Sequence, residues 1–418
     1  MEARYAVIGA ILDRYEEHSK DWMGYRDQAG NRSLPVTQKL YDEVGRGRLN
    51  QEVLALEKEG LVRGKWYAHG SELERIGYSL KDMPRFYACD GRQPKAERVE
   101  GYRKELEAIL QDDSLQDWIR SCFTVLLDAL GKGRIPEEYG WEEEKRALYF
   151  RTLLALGTLK EPTYRRVFGR QYLGSSKAFG KKLQARILSD ARRFHPDVDP
   201  DPDVMHDDEA LSQLYLETYN QELQIKGPLR LMLDGRILDL SAFRYGAVLN
   251  ADTMKHADIP GEQPIRKVVT VENKANFMAA PYEEGCLLIY THGFFSPKER
   301  DFLNRLREAL DGGRAEGSED SCPVISADKS KSGVRYYHTG DLDYGGIRIY
   351  QSIQEKIFPG LQPLWMDRAT FFQHLEDGEK REEAYLSKLR SLAVPEELQE
   401  LKDCILDTGC TIEQESLL

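Results

Sequence analysis

No apolar run in this chain approaches the roughly 18 residues that a membrane helix needs, and Cys286-Leu-Leu-Ile-Tyr290 is among the longest. The first twenty residues include Glu2, Arg4, Asp13, Arg14, Glu16 and Glu17, so no signal peptide is expected. The six cysteines (89, 122, 286, 322, 404 and 410) are scattered, and no two share a C-x-x-C spacing. That pattern argues against a disulfide framework and against a zinc knuckle, and it fits a reducing cytoplasm. Positive charge is also in deficit. With 59 Lys and Arg against 71 Asp and Glu the net charge is −12, so the surface as a whole is unsuited to coating nucleic acid.

Several catalytic signatures are missing. Gly174-Ser-Ser-Lys-Ala-Phe-Gly180-Lys-Lys has five residues between its glycines and no Ser or Thr after the lysine, so it is no P-loop. No nucleotide cofactor is expected, and ATP-driven work would fall to another subunit. Neither an H-E-x-x-H zinc motif nor a G-x-S-x-G elbow occurs.

What is present is enough for a core and several domains. The 418 residues are 41% apolar and 31% charged, and the length suggests about two to four domains. Ala6 to Arg14 carries Val7, Ile8, Ile11 and Leu12 at helical spacing, and a polar loop with Gly24, Gly30 and Asn31 follows. Helical stretches over Thr37–Val44 and Asn50–Glu59 lead to Leu61–Tyr67, read as a short hairpin with Gly64 near its turn. This order predicts a winged-helix-like domain over 1–90; a purely structural helical cap is the alternative. Residues 91–155 read as a helical arm, interrupted at Gly131-Lys-Gly-Arg-Ile-Pro136.

Residues 156–225 form a second, basic module, again expected to be winged-helix-like. From Lys160 to Phe194 ten basic residues face only Glu161 and Asp190, a net +8 inside an acidic protein. Arg165, Arg166, Arg170, Lys177, Lys181, Lys182 and Arg186 are the candidate contacts to DNA phosphates, with a solvated helical face as the other reading. His195 to Glu209 then holds seven acids and three prolines, which suits an exposed loop.

From 226 to 418 the pattern becomes α/β. A hairpin around Asp234-Gly235 precedes short apolar strands at Val268–Val271, Cys286–Tyr290 and Val334–Tyr337, which alternate with helices near Pro297–Leu310 and Gly346–Ile357. A mainly parallel sheet covered by helices is expected. Ligand chemistry in such sheets sits at the carboxyl ends of strands. One strand there ends at Glu272 and another at Gly340-Asp-Leu-Asp-Tyr-Gly-Gly346. Glu272, Asp341 and Asp343 would repel one another without a cation, and their hard oxygens suit Mg²⁺ or Mn²⁺. Glu272 is then the candidate metal ligand and general base, and Asp341 and Asp343 hold the ion. The competing assignment is an Asp341 helix cap and a Glu272 ion pair. Lys274 is a candidate phosphate contact or a solvated lysine; His338 orders a phosphate or is a structural histidine. Glu413 and Glu415 form a terminal acidic pair, either a second metal site on an extended segment or a frayed end.

Glu272 followed by Gly340-Asp-Leu-Asp-Tyr-Gly-Gly-Ile-Arg-Ile349 resembles a Toprim domain, in the version shared by the type IIB topoisomerase A subunit and the meiotic break-forming protein. Thr291-His-Gly-Phe-Phe-Ser-Pro297 resembles the glycine-containing turn of that branch. Val271-Glu-Asn273, Tyr337-His-Thr-Gly-Asp-Leu-Asp343, Phe168-Gly with Gly174-Ser-Ser-Lys177, and Glu413-Gln-Glu415 together resemble the JetD family, the nuclease subunits of Wadjet anti-plasmid systems. Ser175 departs from the Gly-Asp-Ser-Lys more usual there. The resemblance implies a homodimer that cleaves double-stranded circular DNA and is recruited by an SMC-like motor complex of the JetABC type. Two other functions stay open at this level. One is a transesterase like the topoisomerase subunit, with Tyr164 or Tyr172 as nucleophile. The other is a non-catalytic DNA-binding subunit.

Overall fold

The computed structural model describes residues 5–23, 30–67, 70, 72–218, 221–312 and 333–417. Gly24 of the polar loop and Cys322 lie outside these residues. The chain divides into two compact units, Met1–Phe150 and Arg151–Leu418, and the junction falls within the helix Glu143–Thr158. No helix among the described residues is long and apolar enough to cross a membrane.

The first unit begins helix (Ala6–Glu17), strand (Asn31–Pro35), two helices (Gln38–Val44, Arg46–Lys58) and two strands (Val62–Trp66, Leu73–Ser79). The three strands form an antiparallel sheet with Leu73–Ser79 in the centre. Val7, Ile8, Ile11 and Leu12 recur at three- and four-residue steps, so they share one helix face and join Leu49, Val53 and Leu56 in a single core. The Thr37 hydroxyl accepts the Leu40 N–H (3.3 Å), which fixes where the second helix starts. Two sequence expectations need correction. Gly64 is not at a turn: it lies mid-strand opposite Ile76, and its lack of a side chain admits Val53 and Leu73. Asn31, read as loop, opens the first strand, because its pairing partner Ser79 lies far along the chain and is invisible to local pattern. Beyond these strands, the helix Lys95–Leu110 packs on Asp117–Gly131, the break between 131 and 136 being the expected one.

The second unit opens with the basic helices α1 (Arg165–Leu173) and α2 (Lys181–Phe194) and continues through α3 (Asp207–Gln213). Its sheet is built from β1 (Glu222–Lys226), β2 (Ala247–Asn250), β3 (Lys267–Val271), β4 (Cys286–Tyr290), β5 (Arg335–Thr339) and β6 (Gln362–Pro363). Among them run α4 (Lys274–Ala279), α5 (Pro297–Gly312) and α6 (Tyr344–Lys356), and α7 (Glu383–Ser391) and a short strand β7 (Cys410–Thr411) follow. The strand order is β6–β5–β3–β4–β1–β2. β6, β5, β3 and β4 are parallel; β1 and β2 add an antiparallel edge. The central strand β3 is buried from Val268 to Val271, which is why it reads as an unbroken apolar run. The expected hairpin turns at Asp234 and Gly235, both with positive φ.

The acidic stretch after α2 is not the exposed loop that its composition suggested. Asp199 is buried against Arg348 (2.9 Å), and Asp197 pairs with Arg300 (3.1 Å) and Lys356 (2.6 Å). Asp197 and Asp199 are matched by cations on α5 and α6, distant in sequence, so local composition could not reveal their partners, whereas Asp203, Asp207 and Asp208 are exposed as expected.

Candidate metal centre

β3 lies between β4 and β5, so the chain leaves it in one direction to form β4 and returns past it to form β5. The carboxyl ends of β3 and β5 therefore adjoin, with Val271 opposite Thr339. The Glu272 N–H continues that pairing by donating to the Thr339 carbonyl (3.0 Å). The residues just past each strand end carry the chemistry. Glu272 Oε2 accepts the Asp341 backbone N–H (3.1 Å). Gly340 is required here, because a Cβ on it would collide with Glu272 Oε2. Asp343 Oδ1 accepts the Gly346 N–H (2.7 Å), so Asp343, rather than Asp341, caps α6.

The C-terminal segment completes the cluster. Leu342 and Ile412 exchange backbone hydrogen bonds (2.8 and 3.3 Å), which brings Glu413 and Glu415 alongside Asp341. One oxygen from each of Asp341, Glu413 and Glu415 lies within 4.8 Å of the others, a group that could share one ion. The segment is not extended as expected: Gln414–Leu417 forms a 3₁₀ turn, and the two acids converge through that turn.

Electrostatics follow from this crowding. Burial, then the charges of Asp341 and Asp343, hold the Glu272 carboxyl well above the usual carboxylate range. Asp341 is pushed up to about 7 by burial, against the pull of the Gln414 N–H, with Asp343, Glu413 and Glu415 adding repulsion. Burial also raises Asp343, while the Gly346 N–H and Arg381 oppose the rise. Glu413 is raised by burial and by Asp343. Crowded carboxyls whose proton affinities are raised by burial and mutual repulsion are suited to a cation, and an all-oxygen donor set suits Mg²⁺ or Mn²⁺.

His338 adds an orphaned atom next to this cluster. The Thr270 hydroxyl donates to the Tyr337 carbonyl (3.1 Å) and lies 2.9 Å from His338 Nδ1, a contact whose direction depends on the imidazole tautomer. The other ring nitrogen is Nε2. It is fully buried without a partner, its basicity pushed down to about 3 by burial, and it faces Gly340 beside Glu272 Oε2. Lys274 stands exposed at the start of α4.

The structure divides the basic candidates. Arg166, Arg170, Lys177, Lys181 and Lys182 are exposed, and none has an ion-pair partner among the described residues. Arg165 instead donates to Gln184 Oε1 (2.7 Å) across α1 and α2, and Arg186 pairs with Asp190 (3.2 Å) one turn on. The first contact ties α1 to α2, and the second lies within α2. Tyr164 is exposed, and Tyr172 packs on Phe168.

Arg381 and Tyr385 carried no sequence signal, and Gln414 entered only as the middle of Glu413-Gln-Glu415. Arg381 donates to Thr411 Oγ1 (2.7 Å) and pairs with Glu379 (3.3 Å) and Glu413 (3.7 Å), which places a fixed cation beside the acids. The Tyr385 hydroxyl accepts the Tyr344 N–H (2.7 Å) at the start of α6. Gln414 bonds to both strand ends.

Comparison with known proteins bears on this unit first. Residues 226–418 match the family described as "Wadjet protein JetD, C-terminal". Over 404 residues the chain is 24% identical to the Wadjet protein JetD of Bacillus cereus (strain Q1), covering 93% of this chain and 91% of that protein.

Proposed function

We propose that this chain, which resembles the Wadjet protein JetD over nearly its whole length, is the metal-dependent DNA endonuclease subunit of an anti-plasmid system. The observation that carries the reading is the convergence of Glu272, Asp341, Asp343, Glu413 and Glu415 at two adjoining parallel strand ends. That arrangement is of Toprim type, and the exposed basic face of α1 and α2 supplies phosphate contacts independent of sequence.

Asp341, Glu413 and Glu415 would hold one divalent cation, with Glu272 and Asp343 beside them. Such an ion supplies Lewis-acid polarisation of a phosphodiester. Glu272 is tied through Oε2 to the Asp341 N–H, which leaves Oε1 to orient a water and take its proton. Asp343 keeps one oxygen on the N-terminus of α6 and so cannot swing away from the site. The protein works as a homodimer, each copy cutting one strand of double-stranded circular DNA. An SMC-like motor complex recruits and activates it in the cytoplasm.

The test is cleavage of supercoiled circular DNA by the purified protein with Mn²⁺, with and without its motor complex, resolved under denaturing conditions. Wild type should yield linear DNA free of protein, Glu272→Ala should leave DNA intact but bound, and Tyr164→Phe and Tyr172→Phe should remain active. Covalently protein-linked ends that vanish with one Tyr→Phe change would replace hydrolysis by transesterification. Full cleavage by Glu272→Ala would remove the acidic cluster from the mechanism.

A further inference from the structure

The last turn of the chain is fastened to the metal centre by one buried side chain, Gln414. It has no exposed surface, and its polar groups are used on both sides. Its Oε1 accepts the Asn273 N–H (2.8 Å) just past β3, and its Nε2 donates to Thr339 Oγ1 (2.9 Å) at the end of β5. Its backbone N–H donates to Asp341 Oδ1 (2.7 Å), and its carbonyl accepts from Asn276 Nδ2 (2.8 Å). The carboxamide spans the two strand ends in a single orientation, because Asn273 offers only a donor.

We propose that Gln414 is a positioning residue of the metal centre, and that cation binding and docking of the segment 410–417 are thermodynamically coupled; the proposal rests on the metal reading above. The register of Gln414 decides where its neighbours Glu413 and Glu415 fall, and both reach Asp341 only while the carboxamide is seated. Without a cation the three carboxylates repel one another and oppose docking. With a cation between them the same contact draws the segment in. Linkage then requires that the ion stabilise the docked segment by the same factor by which docking tightens the ion.

The experiment uses the full chain. Mn²⁺ binding is counted by electron paramagnetic resonance, and amide exchange of the peptide covering 410–417 is followed with and without Mn²⁺. In wild type, Mn²⁺ should slow exchange of that peptide. Gln414→Ala should speed exchange without metal and weaken Mn²⁺ by about tenfold, or ~1.4 kcal/mol. The double variant Glu413→Gln/Glu415→Gln keeps the seat of Gln414, so it should stay docked without metal yet lose the metal-dependent protection. It also serves if Gln414→Ala fails to fold. A purely structural glutamine would loosen the tail and leave Mn²⁺ affinity unchanged, which overturns the inference. Mn²⁺ binding to wild type with no change in tail exchange does so as well. Absence of any Mn²⁺ signal instead brings down the metal reading, and this inference with it.

Discussion

Asp341 is the residue at which protonation, the proposed metal binding and stability meet. Burial raises its carboxyl from an ordinary 3.8 to about 7. An acid with a higher pKa folded than unfolded keeps its proton on folding, so its contribution is intact below about pH 4 and lost as pH climbs toward 7. Asp341→Asn removes that loss while preserving the oxygen that accepts the Gln414 N–H. In EDTA the variant should therefore melt a few degrees above wild type at pH 8 and together with it near pH 4, since ~1 kcal/mol moves Tm by roughly 2–4 °C in domains of 150–250 residues. Saturating Mn²⁺ should narrow the gap at pH 8, because wild type alone gains about 2.7 kcal/mol at a hundredfold excess over Kd. Equal melting at pH 8 in EDTA would mean that the carboxyl is not strained by its neighbours. At this scale the sequence is legible where chemistry demands a residue type: Glu272, Asp341 and Asp343 stand out at strand ends. Gln414 and Arg381 do not, because a glutamine between two acids and an arginine after Lys380 look like any surface polar run. Only the fold shows that one is fully buried and the other touches Glu413.

At the scale of elements, the basic block shows how charge alone misassigns roles. Ten basic residues between 160 and 194 read as one phosphate-binding face. Helical geometry separates them, because α2 turns Ile187, Leu188 and Ala191 inward and leaves Lys181 and Lys182 exposed on its first turn. Reversing Lys181 and Lys182 to Glu should weaken DNA binding equally for all sequences and reduce the salt slope by about 1 per lost phosphate contact. Arg165→Gln should instead lower stability with little change in slope, since it releases Gln184 and no phosphate. Titrations of a labelled duplex at several salt concentrations, beside thermal melts, separate the two. Equal slopes for all variants would make the block a solvated surface. Strand positions were recoverable from apolar runs because β3 and β4 are buried on both faces. The strand Asn31–Pro35 was not, because only Leu34 among its residues is buried.

Across the second unit, the basic module and the sheet meet along a polar seam, and its strength is testable. Asp197, Asp199 and Asp201 follow α2 directly and pair with Arg300 on α5, Arg348 and Lys356 on α6, and Lys388 on α7. α3 adds Glu209 Oε1, which accepts the Phe294 N–H (3.0 Å), and Gln213 Nε2, which donates to the Phe295 carbonyl (3.2 Å). Two of these ties converge behind the candidate metal centre. Arg348 lies on the helix that Asp343 caps, and the Lys388 ammonium sits 4.0 Å from the Tyr344 ring next to that cap. An acid run that binds cations in this way cannot be told from a solvated linker by composition, since the matching charges lie about a hundred residues or more away. The Asp199 side chain is 1% exposed, whereas Asp207, paired with Arg192 at 3.0 Å, is 62% exposed. Removing a buried partner strands the other charge, while exposed pairs contribute 0–1 kcal/mol. Arg348 retains partial solvent and Gln351, so Asp199→Ala should cost about 1–3 kcal/mol, below the full buried-pair penalty. Asp207→Ala should cost less than ~1 kcal/mol. The midpoint of denaturant unfolding of the full chain measures both, and 0.5 M NaCl should erase the small effect and leave the larger one. If the two variants are indistinguishable, the seam is held by the α3 side-chain contacts to the Phe294 and Phe295 backbone rather than by the aspartate pairs.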